Sequence, residues 1–159
     1  MPKPLGDHLH LYAGLQREAG IARQDEFMVE ARIGTERNGL TLSKVERVDQ
    51  KPYSVDIQLN VPDLQARRTV AAHYASGFDD LIDFFRGLAT SWRGWPGERT
   101  YESLEGDLRL TAVHDGHVQL IMRIRQSTEP DGWDVNASIR LDPGEEMASV
   151  VGDIETLFT

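Results

Sequence analysis

Hydrophobic and polar residues alternate along several stretches of this chain, which is the period of half-buried β-strands. The clearest stretch places five apolar residues at every second position: Tyr53, Val55, Ile57, Leu59 and Val61. The same alternation predicts strands at 27–34, 40–48, 53–61, 66–75, 107–114, 117–126 and 133–141. Turn signals lie between them, namely Asn38-Gly39, Pro62-Asp63, Asp115-Gly116 and Pro130-Asp131-Gly132.

A helical period replaces this alternation over residues 77–93. Large apolar residues recur there at spacings of four, three and four: Leu81, Phe85, Leu88 and Trp92. This stripe predicts that Trp92 belongs to the core and that Trp95 partly covers the same core. Ser76, three residues before Asp79, resembles the start of a capping box.

A second helix is predicted for residues 144–158. It follows Asp142-Pro143-Gly144-Glu145, in which Asp142 is the expected N-cap and proline the first helical residue. Strands with one polar face, combined with two amphipathic helices, predict an α+β fold: a curved antiparallel sheet of about seven strands with two helices packed on one face. We expect residues 1–26 to form a loosely ordered N-terminal arm and residues 27–159 a single domain.

Composition narrows the classes of function. The chain has 159 residues and no cysteine, and it lacks an apolar run of the about 20 residues needed to span a membrane. The N-terminus has no apolar signal region, so a cytoplasmic location without membrane contact is expected. Residues 1–76 carry ten basic and ten acidic residues, whereas residues 77–159 carry seven and sixteen, so the net charge of -9 lies in the second half. Such a field repels nucleic acid and favours a basic protein partner.

The common short catalytic motifs are absent, and no cofactor or metal is predicted. His114 and His117 flank the Asp115-Gly116 turn and offer two imidazoles to a metal, but a hairpin tip is exposed to solvent and lacks the usual further ligands. A solvated turn is the simpler interpretation.

We call the segment 92–99 the Trp loop. Three carboxylates lie at its end and just after it: Glu98, Glu102 and Glu105. Paired carboxylates beside aromatic side chains are typical of sugar hydrolysis, so an enzyme or ligand-binding protein with a pocket at the Trp loop is one hypothesis. Packing of the two tryptophans where a helix closes over a sheet is the alternative interpretation.

The Trp loop, Trp92-Arg93-Gly94-Trp95-Pro96-Gly97-Glu98-Arg99, also carries a family resemblance, together with Phe78-Asp79-Asp80-Leu81, Ser103-Leu104-Glu105-Gly106-Asp107-Leu108 and Asp142-Pro143-Gly144-Glu145-Glu146. Over about residues 27–158 the chain resembles a family of small uncharacterised actinobacterial proteins. More distantly, its order of elements is similar to WapI-type immunity proteins, which are small cytoplasmic proteins that neutralise the toxic domain of a contact-delivered toxin. The resemblance implies no catalytic residue and a protein partner, such as a basic toxin domain.

Three hypotheses therefore stand side by side: a non-catalytic binding protein of the immunity type, a ligand-binding protein or enzyme with a pocket at the Trp loop, and a scaffold domain that forms a homodimer through a sheet edge. For the first, the candidate partner-binding residues are Trp95, Glu98, Glu102, Glu105 and Asp107.

Overall fold

The computed structural model describes residues 29–159. The elements follow one another as β1 (Glu30–Gly34), β2 (Gly39–Val48), β3 (Lys51–Val61), β4 (Leu64–Ala71), α1 (Asp79–Thr90), β5 (Glu98–Glu102), β6 (Leu108–His114), β7 (Val118–Arg125), β8 (Asp134–Leu141) and α2 (Glu145–Phe158). The α+β class is confirmed, and each predicted strand and helix overlaps one of these elements. The arm predicted for residues 1–26 lies outside the described residues.

The strands form two sheets and not the single curved sheet of about seven strands that the sequence predicts. Sheet 1 has the order β1-β2-β3-β4 and sheet 2 has the order β5-β6-β7-β8, and all neighbouring strands are antiparallel. The eighth strand, β5, escaped the alternation pattern because Tyr101 is its single buried residue. This short strand begins the second sheet after α1, which separates the two sheets along the chain.

Strand β8 crosses sheet 1 from one edge to the other. Near its start, Trp133 and Val135 share a cleft with Ala66 of the edge strand β4. Near its end, Ile139 Cδ1 lies 3.0 Å from the position of a Cβ on Gly34, which belongs to β1 at the opposite edge. Sheet 2 therefore packs against sheet 1 near both of its edge strands.

Gly34 is required at this crossing. Its φ of +94° is a conformation that side-chain-bearing residues rarely adopt, and an added Cβ would lie 2.6 Å from the backbone oxygen of Asn38. The glycine therefore allows β8 and the β1–β2 turn to approach the same point.

The hydrophobic core lies between the inward faces of both sheets and the apolar stripes of both helices. Helix α1 buries Leu81, Phe85 and Leu88, as its periodicity predicts. Helix α2 packs against α1 and against β1, and its Phe158 ring lies 4.7 Å from the ring of Phe78. Neither helix of the described region has the length and apolar composition that a membrane span requires.

Helix α1 begins two residues later than predicted, and α2 begins one residue later. The N-caps are Phe78 and Gly144, and neither helix has a side-chain capping hydrogen bond. Ser76 contributes its backbone oxygen, which accepts from the Asp79 N–H at 3.1 Å, so the capping box predicted there is wrong. The Asp142 N–H donates to Glu146 Oε1 at 2.8 Å, which ties the chain just before α2 to the first turn of the helix.

Candidate functional site

The two tryptophans of the Trp loop have exchanged the roles that the sequence predicts. Trp95 is buried, with 7% of its surface exposed, and its Nε1–H donates to the Ala112 oxygen at 3.4 Å. Trp92 is 49% exposed. Helix α1 ends at Thr90, so Trp92 lies beyond the last helical residue and does not continue the apolar stripe. Gly94, with a φ of +126°, then reverses the chain and turns Trp95 toward the core.

Arg99 joins the Trp loop to the end of α1. Its Nη1 donates to the Gly87 oxygen at 3.1 Å and to Ser91 Oγ at 3.0 Å. The last turn of α1 contains no basic residue of its own, so Arg99 supplies the positive charge that stabilises the carboxyl end of a helix. Through these contacts the end of α1 lies against β5, the first strand of sheet 2.

His114 is held by main-chain groups on both ring nitrogens. The Gly116 N–H donates to Nδ1 at 3.2 Å, which leaves the proton on Nε2, and Nε2 lies 2.9 Å from the Trp92 oxygen. The imidazole also meets the Trp95 ring edge to face at 5.2 Å. Among residues 29–159, no three His, Asp or Glu side chains are arranged to hold a metal ion.

Asp107 is a buried structural residue rather than a surface carboxylate. It is 1% exposed, and its Oδ1 accepts from Ser103 Oγ at 2.7 Å. Its Oδ2 accepts from Arg68 Nε at 2.9 Å. Because Arg68 belongs to β4 and Asp107 precedes β6, this ion pair connects the two sheets. Trp95 and Asp107 are therefore closed to a partner, which leaves Glu98, Glu102 and Glu105 of the five predicted contact residues.

Glu102 and Glu105 lie together, whereas Glu98 lies at the other end of β5. Glu102 Oε2 approaches within 3.3 Å of a Cβ position on Gly106, in the turn that also contains Glu105. The same turn presents Leu104, which is 49% exposed although it is a large apolar residue.

Three exposed aspartates of α1 add to these carboxylates, and they are not among the contact residues predicted from the sequence. The rings of Phe84 and Tyr101 lie 6.3 Å apart, which brings the first turns of α1 beside the end of β5. Burial raises the pKa of Tyr101, and the negative charges of Asp80 and Asp107 raise it further. We define the acidic surface by its exposed carboxylates, Asp79, Asp80, Asp83, Glu102 and Glu105. The sequence contains a sign of this surface, because the three aspartates lie off the apolar stripe of α1 and are therefore expected to face solvent.

A family model now places this fold among known sequences. The model of a family of unknown function, DUF6228, matches residues 30–159. The chain belongs to the DUF6228 family. Comparisons with curated proteins and with solved structures found no match. The match begins at the first residue of β1, so both sheets, both helices and the acidic surface lie inside the DUF6228 domain.

The DUF6228 domain also has open cavities away from the Trp loop, where a pocket was expected and where Trp95 is instead buried. One cavity of about 500 Å³ lies along β4 and is lined by Asp56, Ile57, Arg67, Arg68, Thr69, Gln126 and Trp133. A second, of about 550 Å³, lies at the tip of the β2–β3 hairpin beside the exposed rings of Tyr53 and Tyr74.

Proposed function

We propose that this DUF6228 protein is a non-catalytic protein-binding domain whose acidic surface recognises a basic protein partner. The observation that carries the proposal is a set of five exposed carboxylates on α1, β5 and the β5–β6 turn, together with an exposed leucine, Leu104, next to Glu105 in that turn. Charged residues increase the rate at which a partner of opposite charge associates. An apolar side chain among them becomes buried and loses its contact with water when the partner binds.

Two of the cations beside this surface, Arg86 and Arg123, also bond to other carboxylates of the described residues. Arg86 donates to Glu155 Oε2 at 2.6 Å and lies 3.5 Å from Asp83, and the hydrogen bond with Glu155 is the main reason that the pKa of Arg86 is raised. Arg123 is held by Asp134, and this bond lowers the pKa of the Asp134 carboxyl.

Glu102 has two cationic neighbours: Arg109, which lies opposite it across the β5–β6 pair, and Arg123, whose pKa the charge of Glu102 helps to raise. Asp79, Asp80 and Glu105 form no ion pair within 4.0 Å in the described part of the chain. Their charge is therefore available to a partner.

The similarity to WapI-type immunity proteins extends this proposal to a role. We place the protein in the cytoplasm as the inhibitor of a basic toxin domain, which it would neutralise by covering the toxin's working surface. An inhibitor of this kind needs complementary area and charge rather than a nucleophile or a metal. A nucleic acid is not the proposed partner because its phosphates carry the same sign of charge as the acidic surface.

Binding kinetics test the proposal. The measurement uses an inactivated form of the product of a neighbouring toxin-like gene, at low and moderate salt, with the wild type and with the triple variant Asp80→Asn, Glu102→Gln, Glu105→Gln. We expect the wild type to associate quickly at low salt and the triple variant to associate about tenfold or more slowly, with a weaker dependence on salt.

A matched control removes the same number of charges elsewhere. Glu36→Gln, Glu46→Gln and Asp63→Asn change exposed residues of sheet 1 and its turns and should leave the association rate close to that of the wild type. If both triple variants associated equally slowly, the association rate would depend on the net charge of the protein and not on the acidic surface. The absence of any complex with the toxin-like product would remove the immunity role.

A further inference from the structure

The cavity along β4 continues into a neighbouring cavity, and together they form what we call the β4 cleft. β4 ends sheet 1, so one edge of its backbone has no strand partner among the described residues. The lining includes Gln65 and Arg67, whose side chains lie on the outward face, and Ala66 and Arg68, which lie on the inward face. The lining also includes Asp56 and Ile57 of the neighbouring strand β3, so the cleft runs along β4 and reaches the strand behind it.

The opposite wall of the β4 cleft comes from sheet 2. Trp133 lines both halves of the cleft and is 37% exposed. Beside it, Val135 and Leu64 make one half apolar. The other half is polar, with Gln126 and Thr69 beside the two arginines. The cleft therefore changes along its length from apolar to cationic.

In the cationic half of the cleft, two arginine side chains keep donor groups that have no partner in the described residues. Arg68 donates through Nε to Asp107, and its Nη atoms have no hydrogen-bond partner within the described region. Arg67 is exposed and forms no ion pair there. The nearest acid in the lining, Asp56, accepts a hydrogen bond from Thr69 Oγ1 at 2.7 Å. Two arginines, one on each face of β4, thus border the edge of sheet 1 in a protein of net charge -9.

Pairing of β4 with β4 of a second copy is opposed by these arginines. Two antiparallel copies related by a two-fold axis near the strand centre would bring Arg67 and Arg68 of one chain against the same pair of the other. Like charges at directly opposed or diagonal positions destabilise a strand pair. Charged edge residues of this kind prevent self-association and leave the edge open to a strand of opposite charge.

We propose that the β4 edge is a docking site for an extended, acidic segment of another protein, which pairs with β4 as an added strand. Backbone hydrogen bonds would supply affinity, while carboxylates on the face of Arg67 and an apolar residue beside Trp133 would supply specificity. This site and its acidic partner are independent of the acidic surface and its basic partner, so either proposal can fail without the other.

The test uses a fluorescein-labelled peptide of seven residues in which Val and Glu alternate, with the full-length protein. Two further peptides separate the contributions: one replaces each Glu by Lys, and one carries N-methyl groups on alternate backbone nitrogens. We expect the Val-Glu peptide to bind and to slow amide hydrogen exchange in residues 64–71. The Lys peptide and the N-methylated peptide should each bind about tenfold or more weakly, because one lacks the charge and the other lacks the donors.

Two protein variants locate the site. Arg67→Glu should weaken binding of the Val-Glu peptide by about tenfold or more, whereas Arg140→Glu, an exposed arginine of β8, should leave it unchanged. Circular dichroism confirms that both variants remain folded.

Four results would overturn the proposal: no binding of the Val-Glu peptide at millimolar concentration, equal binding of the N-methylated peptide, equal binding by Arg67→Glu, or a wild-type dimer in which residues 64–71 are already protected. If free glutamate bound with the same affinity as the Val-Glu peptide, the site would bind single carboxylates and would not bind an added strand.

Discussion

The guanidinium carbon of Arg99 lies 4.6 Å from the centre of the Trp95 ring, so a cation covers the one tryptophan of the Trp loop that is buried. The same guanidinium donates to the Gly87 oxygen at the end of α1. One side chain thus holds the helix, the Trp loop and β5 together. The Trp loop therefore has a structural role, since it connects α1 to β5. The surface that contacts a partner is expected beside it, at the acidic surface.

Replacement of Arg99 tests this joint. Arg99→Ala should lower the free energy of unfolding by about 1–3 kcal/mol, because it removes a helix-end charge, two hydrogen bonds and a cation–π contact. Arg99→Lys should recover part of the loss, since lysine keeps the charge but not the planar fork. Arg93→Ala removes a similar contact, 4.7 Å from the exposed ring of Trp92, and should change the denaturation midpoint little. Equal effects of the two alanine variants would refute the assignment.

The two tryptophans should differ in the same measurement. Trp95→Ala should cost about 3–5 kcal/mol, because it empties a buried site. Trp92→Ala should cost less than about 1 kcal/mol, since half of the side chain already faces water. Urea unfolding of both variants decides between this assignment and the order that helical periodicity predicts.

The ion pair between Arg68 and Asp107 should contribute more than any surface pair. Asp107→Ala leaves Arg68 and Ser103 without their shared acceptor and should cost about 3 kcal/mol, at the low end for a buried pair because the Arg68 side chain is 29% exposed. Asp134→Asn breaks the exposed pair with Arg123 and should have a much smaller effect. A loss of stability after Asp134→Asn that matches the loss after Asp107→Ala would contradict this ranking.

Tyr101 should make the protein sensitive to alkaline pH. Its pKa is raised in the folded state, so the folded protein favours the neutral phenol. The resulting stability is fully present below the unfolded pKa of about 10 and decreases as the pH rises above that value. Tyr101→Phe has no proton to lose and should retain more of its neutral-pH stability above pH ~10. Unfolding midpoints across this range, with tyrosinate absorbance as a second signal, provide the measurement. Parallel decline of both proteins would exclude Tyr101 as the cause.

The sequence alone determined the elements whose pattern is local. Alternation of apolar and polar residues located seven strands, and a period near 3.6 located both helices, because each pattern depends only on which side of its own element a residue occupies. The same reasoning identified the α+β class and the acidic second half. It could not find β5, because this short strand lies between α1 and β6 and buries one side chain, Tyr101.

Tertiary structure decided the features that depend on contacts between distant residues. The partner of Asp107 is Arg68, which lies 39 residues away and in the other sheet, so no local pattern distinguished this buried carboxylate from its exposed neighbour Glu105. The choice between Trp92 and Trp95 depended on where α1 ends and how Gly94 turns the chain. The division into two sheets depended on which strands pair, since β4 and β5 end their own sheets and do not pair with each other. Burial is set by what packs above a residue, and the chain order does not reveal that neighbour.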